Sequence, residues 1–150
     1  MRSPISAVTI VKSRTEKLAN LITQLEQCSP TPDELVIVWM APPSDLSLVR
    51  SDKFDIVHKF VTQDALPIAK ARNKGMSAAK HANLVYLNVD AVIAPSLFRD
   101  GLLALRDNTV VFTSVVFLPN ERCCKPYRQI SKDEQEIGYL ASNDDTLPED

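Results

Sequence analysis

The chain has 150 residues, of which 45% are hydrophobic and 24% are charged, and its formal net charge at pH 7 is -2. This length suits one domain with a substantial core, and the composition is that of a globular protein rather than a disordered one. The small net charge gives no reason to expect nucleic acid or an anionic membrane as a partner. The sequence shows neither an apolar run long enough for a spanning helix nor a signal peptide, so we expect a cytoplasmic protein.

Three cysteines and two histidines leave little material for metal or nucleophile chemistry. Cys28, Cys123 and Cys124 have no CxxC spacing, so neither a zinc site nor a disulfide framework is indicated, and we interpret them as inert thiols. The sequence contains no G-x-S-x-G elbow, no G-x-G-x-x-G after its first strand and no P-loop. Triad hydrolysis and these two nucleotide-binding classes are therefore disfavoured.

The first part of the chain alternates predicted strands with a predicted helix. Ile5–Val11 is a β-rich apolar run, and residues 13–16 have the spacing of a capping box at a helix start. The helix that follows has an apolar stripe with the spacing i, i+3, i+4, i+7, formed by Leu18, Leu21, Ile22 and Leu25. Two more strands are predicted at 35–39 and 55–61.

A helix is predicted over 66–82, with Pro67 in its first turn and small residues on one face. That face contains Ile68, Ala71, Gly75, Ala79 and Ala82. A strand at 85–87, a helix around 96–106 and a strand at 109–118 follow. Strands separated by helices indicate a three-layer α/β/α fold with a mainly parallel sheet, whose ligand is expected at the carboxyl ends of the strands.

Asn88 and Asp90 come directly after the strand at 85–87. Residues two apart in a strand point to the same side, so we expect these two side chains to face one space at the end of the sheet. A carboxylate there can ligate Mg2+ or Mn2+, and an amide can hydrogen-bond a sugar hydroxyl. The alternative is that both residues only make a turn, which Asn and Asp favour.

The predicted helix at 66–82 carries basic residues and no acidic residue. The basic residues are Lys70, Arg72, Lys74 and Lys80. Near the strand ends such a segment could hold phosphate oxygens, for which arginine offers a planar two-pronged contact. The other interpretation is a solvated helix face, which we favour for Lys74 and Lys80. Both interpretations stay open for Arg72.

The runs AKARNKG at 69–75 and YLNVDAVIAP at 86–95 resemble the amino-terminal half of the family 2 glycosyltransferases, with similarity over about residues 5–105. The resemblance implies the GT-A fold of the nucleotide-diphospho-sugar transferases, here truncated. It implies a donor such as a UDP- or GDP-sugar, and a hydroxyl acceptor in the intact enzyme.

The resemblance also implies roles for particular residues. Asp90 would ligate the divalent metal, Mg2+ or Mn2+, and Asn88 would face the ribose or the sugar of the donor. Arg72 and Asn73 would line the donor pocket, which Arg14 would border from the loop after the first strand.

The sequence departs from the family pattern at three places. The metal motif reads N-V-D, which removes one carboxylate. At the end of the second predicted strand, Trp39 and Met40 stand where the family has an acidic pair, one member of which contacts the nucleoside. No segment after Asp90 resembles the one that precedes the family's general base, so the catalytic residues are unknown. The chain is thus either a glycosyltransferase domain that needs an acceptor half, or a non-catalytic nucleotide-sugar-binding or protein-interaction module.

The domain organisation follows from these patterns. We expect one GT-A-like domain over 1–140 and an acidic, disordered tail over 141–150. The apolar run at 109–118 has no predicted neighbour in the sheet, and an unpaired apolar edge tends to pair with a second molecule. We therefore expect a homodimer.

Overall fold

The computed structural model describes residues 2–61, 67–107 and 110. In this part the chain forms four parallel strands and three helices, which confirms the expected α/β class. In chain order the elements are β1 (Ile5–Val11), α1 (Thr15–Gln27), β2 (Glu34–Trp39), β3 (Asp55–Phe60), α2 (Ile68–Ala78), β4 (Asn83–Tyr86) and α3 (Leu97–Ala104). The predicted strand at 109–118, two of the three cysteines and the predicted acidic tail lie outside the described residues.

The four strands lie in the order β3-β2-β1-β4, and each neighbouring pair is parallel. The chain places β2 and β3 on one side of β1 and then returns to place β4 on the other side. Val8 of β1 is paired in register with Val36 of β2 and with Tyr86 of β4. The strand order therefore reverses beside β1, and ligands of open α/β sheets bind at the carboxyl ends of the strands at such a point.

Alternation of side chains along the strands divides the core into two layers. One layer lies between the sheet and helices α1 and α3, and includes Ile5, Ala7 and Val11 of β1, Leu18, Leu21, Ile22 and Leu25 of α1, and Phe98 of α3. The other layer lies beneath α2 and contains Val8, Val36, Val38, Val61 and Ala71. Burial of the predicted stripe of α1 is thus confirmed, and β2 is buried along its whole length, as a central parallel strand should be.

Helix α2 lies very close to the sheet, because Ala71 and Gly75 face it. A Cβ atom at position 75 would lie 2.5 Å from Cγ1 of Val8 and 3.0 Å from Cγ2 of Val38. The predicted face of small residues is confirmed at these two positions. Ala79 also packs against the layer beneath α2 from just beyond the helix, which ends at Ala78. The predicted face is wrong at Ile68, which is 39% exposed.

The capping box predicted at 13–16 is wrong. Helix α1 begins at Thr15, so Arg14 and not a serine occupies the N-cap position. The Arg14 side chain is directed to Asp90, 76 residues further along the chain. The local spacing of residues in the sequence could not predict this long-range contact.

A buried carboxylate joins the amino ends of the strands. Glu34, the first residue of β2, is 1% exposed and accepts hydrogen bonds from the Ser6 hydroxyl and from the Lys80 backbone N–H, each at 2.5 Å. The backbone N–H of His81 donates to the Ser6 hydroxyl oxygen at 3.2 Å. These bonds fasten the loop between α2 and β4 to both β1 and β2.

The close approach of α2 to the sheet makes Gly75 sensitive to a single added methyl group. Gly75→Ala should lower the free energy of unfolding by about 1–3 kcal/mol, because the overpacked methyl group forces α2 away from Val8. Urea unfolding followed by far-ultraviolet circular dichroism measures this change.

Gly101→Ala in α3 is the matched control, because a Cβ atom at position 101 would have nothing within 4 Å. It should raise the free energy of unfolding by up to about 1 kcal/mol through helix propensity alone. Equal stability of the two variants would contradict the close packing of α2.

Candidate functional site

An ion pair joins the segments that follow β1 and β4, where the strand order reverses. Nη1 of Arg14 lies 2.9 Å from Oδ2 of Asp90. Both side chains remain open to solvent, with Arg14 62% and Asp90 45% exposed. The structure thus brings two of the predicted site residues into direct contact at the place where the fold predicts a ligand.

Asn88 and Asp90 lie in a turn rather than in a strand. Strand β4 ends at Tyr86, and the backbone N–H of Ala91 donates to the carbonyl of Asn88 at 3.1 Å, which closes a four-residue turn. The strand was predicted at 85–87 with Asn88 and Asp90 directly after it, and both residues do lie beyond the end of the strand. The alternative that they make a turn is confirmed for the backbone. The side chains nevertheless alternate in burial as a strand would make them: Asn88 and Asp90 are exposed, while Leu87 and Val89 are buried.

Arg72 borders the end of β4 from the opposite face of the sheet. Its guanidinium carbon lies 5.4 Å from the centre of the Tyr86 ring, a cation–π contact with the last residue of β4. Burial raises the pKa of the Tyr86 phenol, and the Arg72 charge offsets part of that rise. Asn73, the next residue of α2, is exposed. Two arginines therefore flank the carboxyl end of β4, each held by a different partner.

Two of the lysines near this helix have structural partners. Nζ of Lys74 donates to the carbonyl of Phe60 at the end of β3, at 2.6 Å. Nζ of Lys80 lies 3.6 Å from a carboxylate oxygen of Asp55 at the other end of the sheet. These contacts favour a structural role for both residues, and they leave Arg72 as the better candidate for a ligand contact.

The loop that carries Asp90 is fixed to α1 by a buried glutamine, which the sequence interpretation missed. Gln24 is 4% exposed, its Nε2 donates to the Ala91 carbonyl at 3.0 Å, and its Oε1 accepts from the Ile93 N–H at 2.7 Å. Gln24 lies between Leu21 and Leu25 on the apolar side of α1, and a polar residue in such a stripe is a signal of a buried hydrogen bond.

Trp39 fills the place where the family resemblance predicts an acid for the nucleoside. It is 1% exposed in the core beneath α1, and its Nε1 donates to Nδ1 of His58 on β3 at 3.0 Å. The two rings are nearly parallel, with their centres 6.3 Å apart. Burial lowers the pKa of the His58 imidazole, which favours the neutral ring that accepts this bond. Trp39 therefore has a structural role in the hydrophobic core at this position.

Cys28 is buried at the end of α1, as the prediction of an inert thiol requires. Burial raises the pKa of this thiol to about 11, so it stays protonated and unreactive at neutral pH.

The predicted Mg2+ or Mn2+ ion requires more oxygen ligands than the side chains of this turn provide. Such hard cations take about six oxygen ligands, and the turn offers the Asp90 carboxylate and the Asn88 amide. In the part of the chain that the structure describes, no group of three or more His, Cys, Asp or Glu residues could share a metal ion. The guanidinium of Arg14 already contacts one oxygen of the Asp90 carboxylate, and its positive charge repels a cation. This donor set does not fit a divalent cation while the ion pair is closed.

Comparison with known proteins adds no relative to these observations. No protein-family model matches the chain, and no curated protein matches it. None of the helices within the described ranges is long and apolar enough to cross a membrane. The class defined by the fold is therefore an α/β domain with a parallel sheet, and the likeness to glycosyltransferases stays a prediction from the sequence.

The Gln24 contacts predict a loss of stability when the amide is removed. Gln24→Leu should lower the free energy of unfolding by about 1–3 kcal/mol, because the buried N–H of Ile93 loses its acceptor. Gln27→Leu, an exposed change on the same helix, should stay within about 0.5 kcal/mol of the wild type. Urea unfolding of both variants tests this role of the Gln24 hydrogen bonds. Equal free energies of unfolding for the two variants would contradict it.

The Trp39–His58 hydrogen bond predicts that stability falls in mild acid. The folded pKa of His58 lies below its ordinary value of 6.5, so its contribution is complete above about pH 6.5 and decreases as the pH falls below that value. Urea unfolding at about pH 7.5 and pH 5.5, followed by the fluorescence of the single tryptophan, measures this loss.

His58→Gln should reduce the difference in stability between the two pH values. His81→Gln, which leaves the ring pair intact, should keep the wild-type difference. A pH dependence that is identical in the wild type and in His58→Gln would overturn this assignment.

Proposed function

We propose that this domain binds a nucleotide-diphospho-sugar at the carboxyl ends of β1 and β4, as the donor-binding part of a GT-A glycosyltransferase. In the intact enzyme it would transfer the sugar to a hydroxyl acceptor. The observation that supports this proposal best is the contact between Arg14 and Asp90, which brings separate parts of the chain together where the strand order reverses.

The chemistry of the surrounding side chains suits such a donor. A guanidinium can make two parallel hydrogen bonds to phosphate oxygens. Arg14 contacts the turn after β4, and Arg72 contacts Tyr86, the last residue of β4. Asn88, exposed in that turn, carries an amide that can donate to and accept from ribose or sugar hydroxyls. Asn73 adds a second exposed amide next to Arg72.

A specific observation favours the second candidate, a non-catalytic nucleotide-sugar-binding or protein-interaction module. Trp39 is buried at a place where the family resemblance predicts an acidic contact to the nucleoside. Asn88 also replaces one of the two expected carboxylates. Such a module would bind the nucleotide, or only another protein, without transferring a sugar.

Nucleotide titrations separate these candidates. UDP, GDP and TDP are added to the isotopically labelled chain, each with Mn2+ and with a chelator, while amide resonances are followed by NMR. We expect one nucleotide to shift the amides of residues 12–14 and 87–91 and to leave residues 33–34 and 80–83, at the amino ends of the strands, unchanged. A hydrolysis assay with the matching nucleotide-sugar then tests for transfer to water.

Each outcome has a distinct meaning for the proposed function. Localised shifts with slow release of the sugar support a donor site with its chemistry retained. Localised shifts without any release support the binding module. If all three nucleotides leave the spectrum unchanged with and without Mn2+, the proposed donor site is wrong. The Mn2+ arm also tests the metal predicted from the resemblance.

A further inference from the structure

We propose that Arg14, rather than a divalent cation, supplies the positive charge that holds the diphosphate at this site. This inference rests on the proposed function, because it concerns how the same site recognises its ligand. It starts from the ion pair, in which Nη1 of Arg14 is 2.9 Å from Oδ2 of Asp90. The carboxylate that the resemblance assigns to a metal is thus already paired with a cation of the chain itself.

The charges of the two segments favour an anion over a cation. Residues 12–14 and 87–91 together contain two basic residues, Lys12 and Arg14, against one acidic residue, Asp90. Asn88 contributes no charge at the position where the resemblance predicts a second carboxylate. A divalent cation at Asp90 would meet the Arg14 guanidinium at close range, whereas a diphosphate would be attracted to it.

The geometry of Arg14 leaves it able to bind a second anion. A guanidinium has five N–H donors in a planar fork, and the Asp90 contact is made through Nη1. The side chain is 62% exposed, so most of its surface is available to a ligand. Asp90 then acts as a positioning residue, because it orients the fork without touching the ligand.

Arg14 also lies at the N-cap position of α1, a helix of 13 residues. The amino end of a helix carries a partial positive charge, which adds to that of the guanidinium and weakens the attraction for a cation. This contribution supports the argument from the ion pair and does not replace it.

The two modes of binding predict opposite effects for the same substitution. Asp90→Asn keeps an acceptor oxygen for Arg14 and removes a negative charge that repels the diphosphate. If Arg14 carries the charge, this variant should bind the nucleotide within about threefold of the wild type or more tightly. If a metal carries the charge, the same variant loses its only carboxylate ligand in the turn and should lose binding.

Arg14→Gln gives the converse result. Loss of the guanidinium should weaken nucleotide binding at least about tenfold, and Arg14→Lys, which keeps the charge without the planar fork, should lie between Arg14→Gln and the wild type. Arg99→Gln is the matched control, because Arg99 is similarly exposed, at 61%, and is likewise paired with an aspartate, Asp100. It should bind as the wild type does.

The test is isothermal titration of UDP and GDP into these variants, once in EDTA and once in Mn2+, with circular dichroism to check the fold. Binding in EDTA that survives in Asp90→Asn and is lost in Arg14→Gln supports the inference. Binding that requires Mn2+ and disappears in Asp90→Asn overturns it, while leaving the proposed function intact. Absence of binding by the wild type in both buffers overturns both proposals.

Discussion

Strand β1 must satisfy two hydrogen-bonding edges and two apolar faces at once, and the positions of the other elements follow from this requirement. It pairs with β2 on one edge and with β4 on the other. On one face it fills the core beneath α1, and on the other face Val8 meets α2 so closely that only a glycine fits at position 75. Because α2 leads directly into β4, this close approach helps to fix where β4 lies, and therefore where Asp90 meets Arg14.

The ion pair at the site is a result of this framework and contributes little to it. An exposed pair is worth about 0–1 kcal/mol, whereas the buried bonds of Gln24 hold the loop at 91–93 from inside the protein. The backbone around Asp90 is thus positioned independently of Arg14. The proposed exchange of the Asp90 carboxylate for a phosphate at Arg14 would therefore leave the fold unchanged.

Local patterns in the sequence identified the helices and strands that the structure describes, although not all of their bounds, and they did not reveal the contacts at the site. The bounds of β1 and the buried stripe of α1 were predicted correctly, because alternation and helical spacing are properties of neighbouring residues. The contact between Arg14 and Asp90 joins residues 76 apart, and the burial of Gln24 depends on a loop that comes much later in the chain. Both features depend on the order of the strands in the sheet, which no short segment of the sequence determines.

The end of strand β4 is another feature that the local sequence pattern did not locate correctly. Alternating burial continues through Leu87 and Val89 although the strand has ended at Tyr86, and the sequence pattern accordingly placed the end of the strand one residue too late, at Leu87. Trp39 was identified from the sequence as a departure from the family pattern. Its burial and its hydrogen bond to His58 then required the register of β2 and β3, which pairs Ile37 with His58.

Both ends of the sheet carry exposed ion pairs, so exposure alone does not place the ligand at the carboxyl end. At the amino end, Nζ of Lys80 lies 3.6 Å from a carboxylate oxygen of Asp55, and these side chains are 57% and 77% exposed. Glu34 at the same end is buried, and the Ser6 hydroxyl and the Lys80 backbone N–H both donate to its Oε1 atom. At the carboxyl end, Arg14 and Asp90 contact each other but stay largely open to solvent. The buried Glu34 carboxylate is less accessible to a ligand than the exposed Arg14–Asp90 pair. The proposed placement of the ligand at the carboxyl end therefore rests on the reversal of strand order beside β1 and on the contact that joins the segments after β1 and β4.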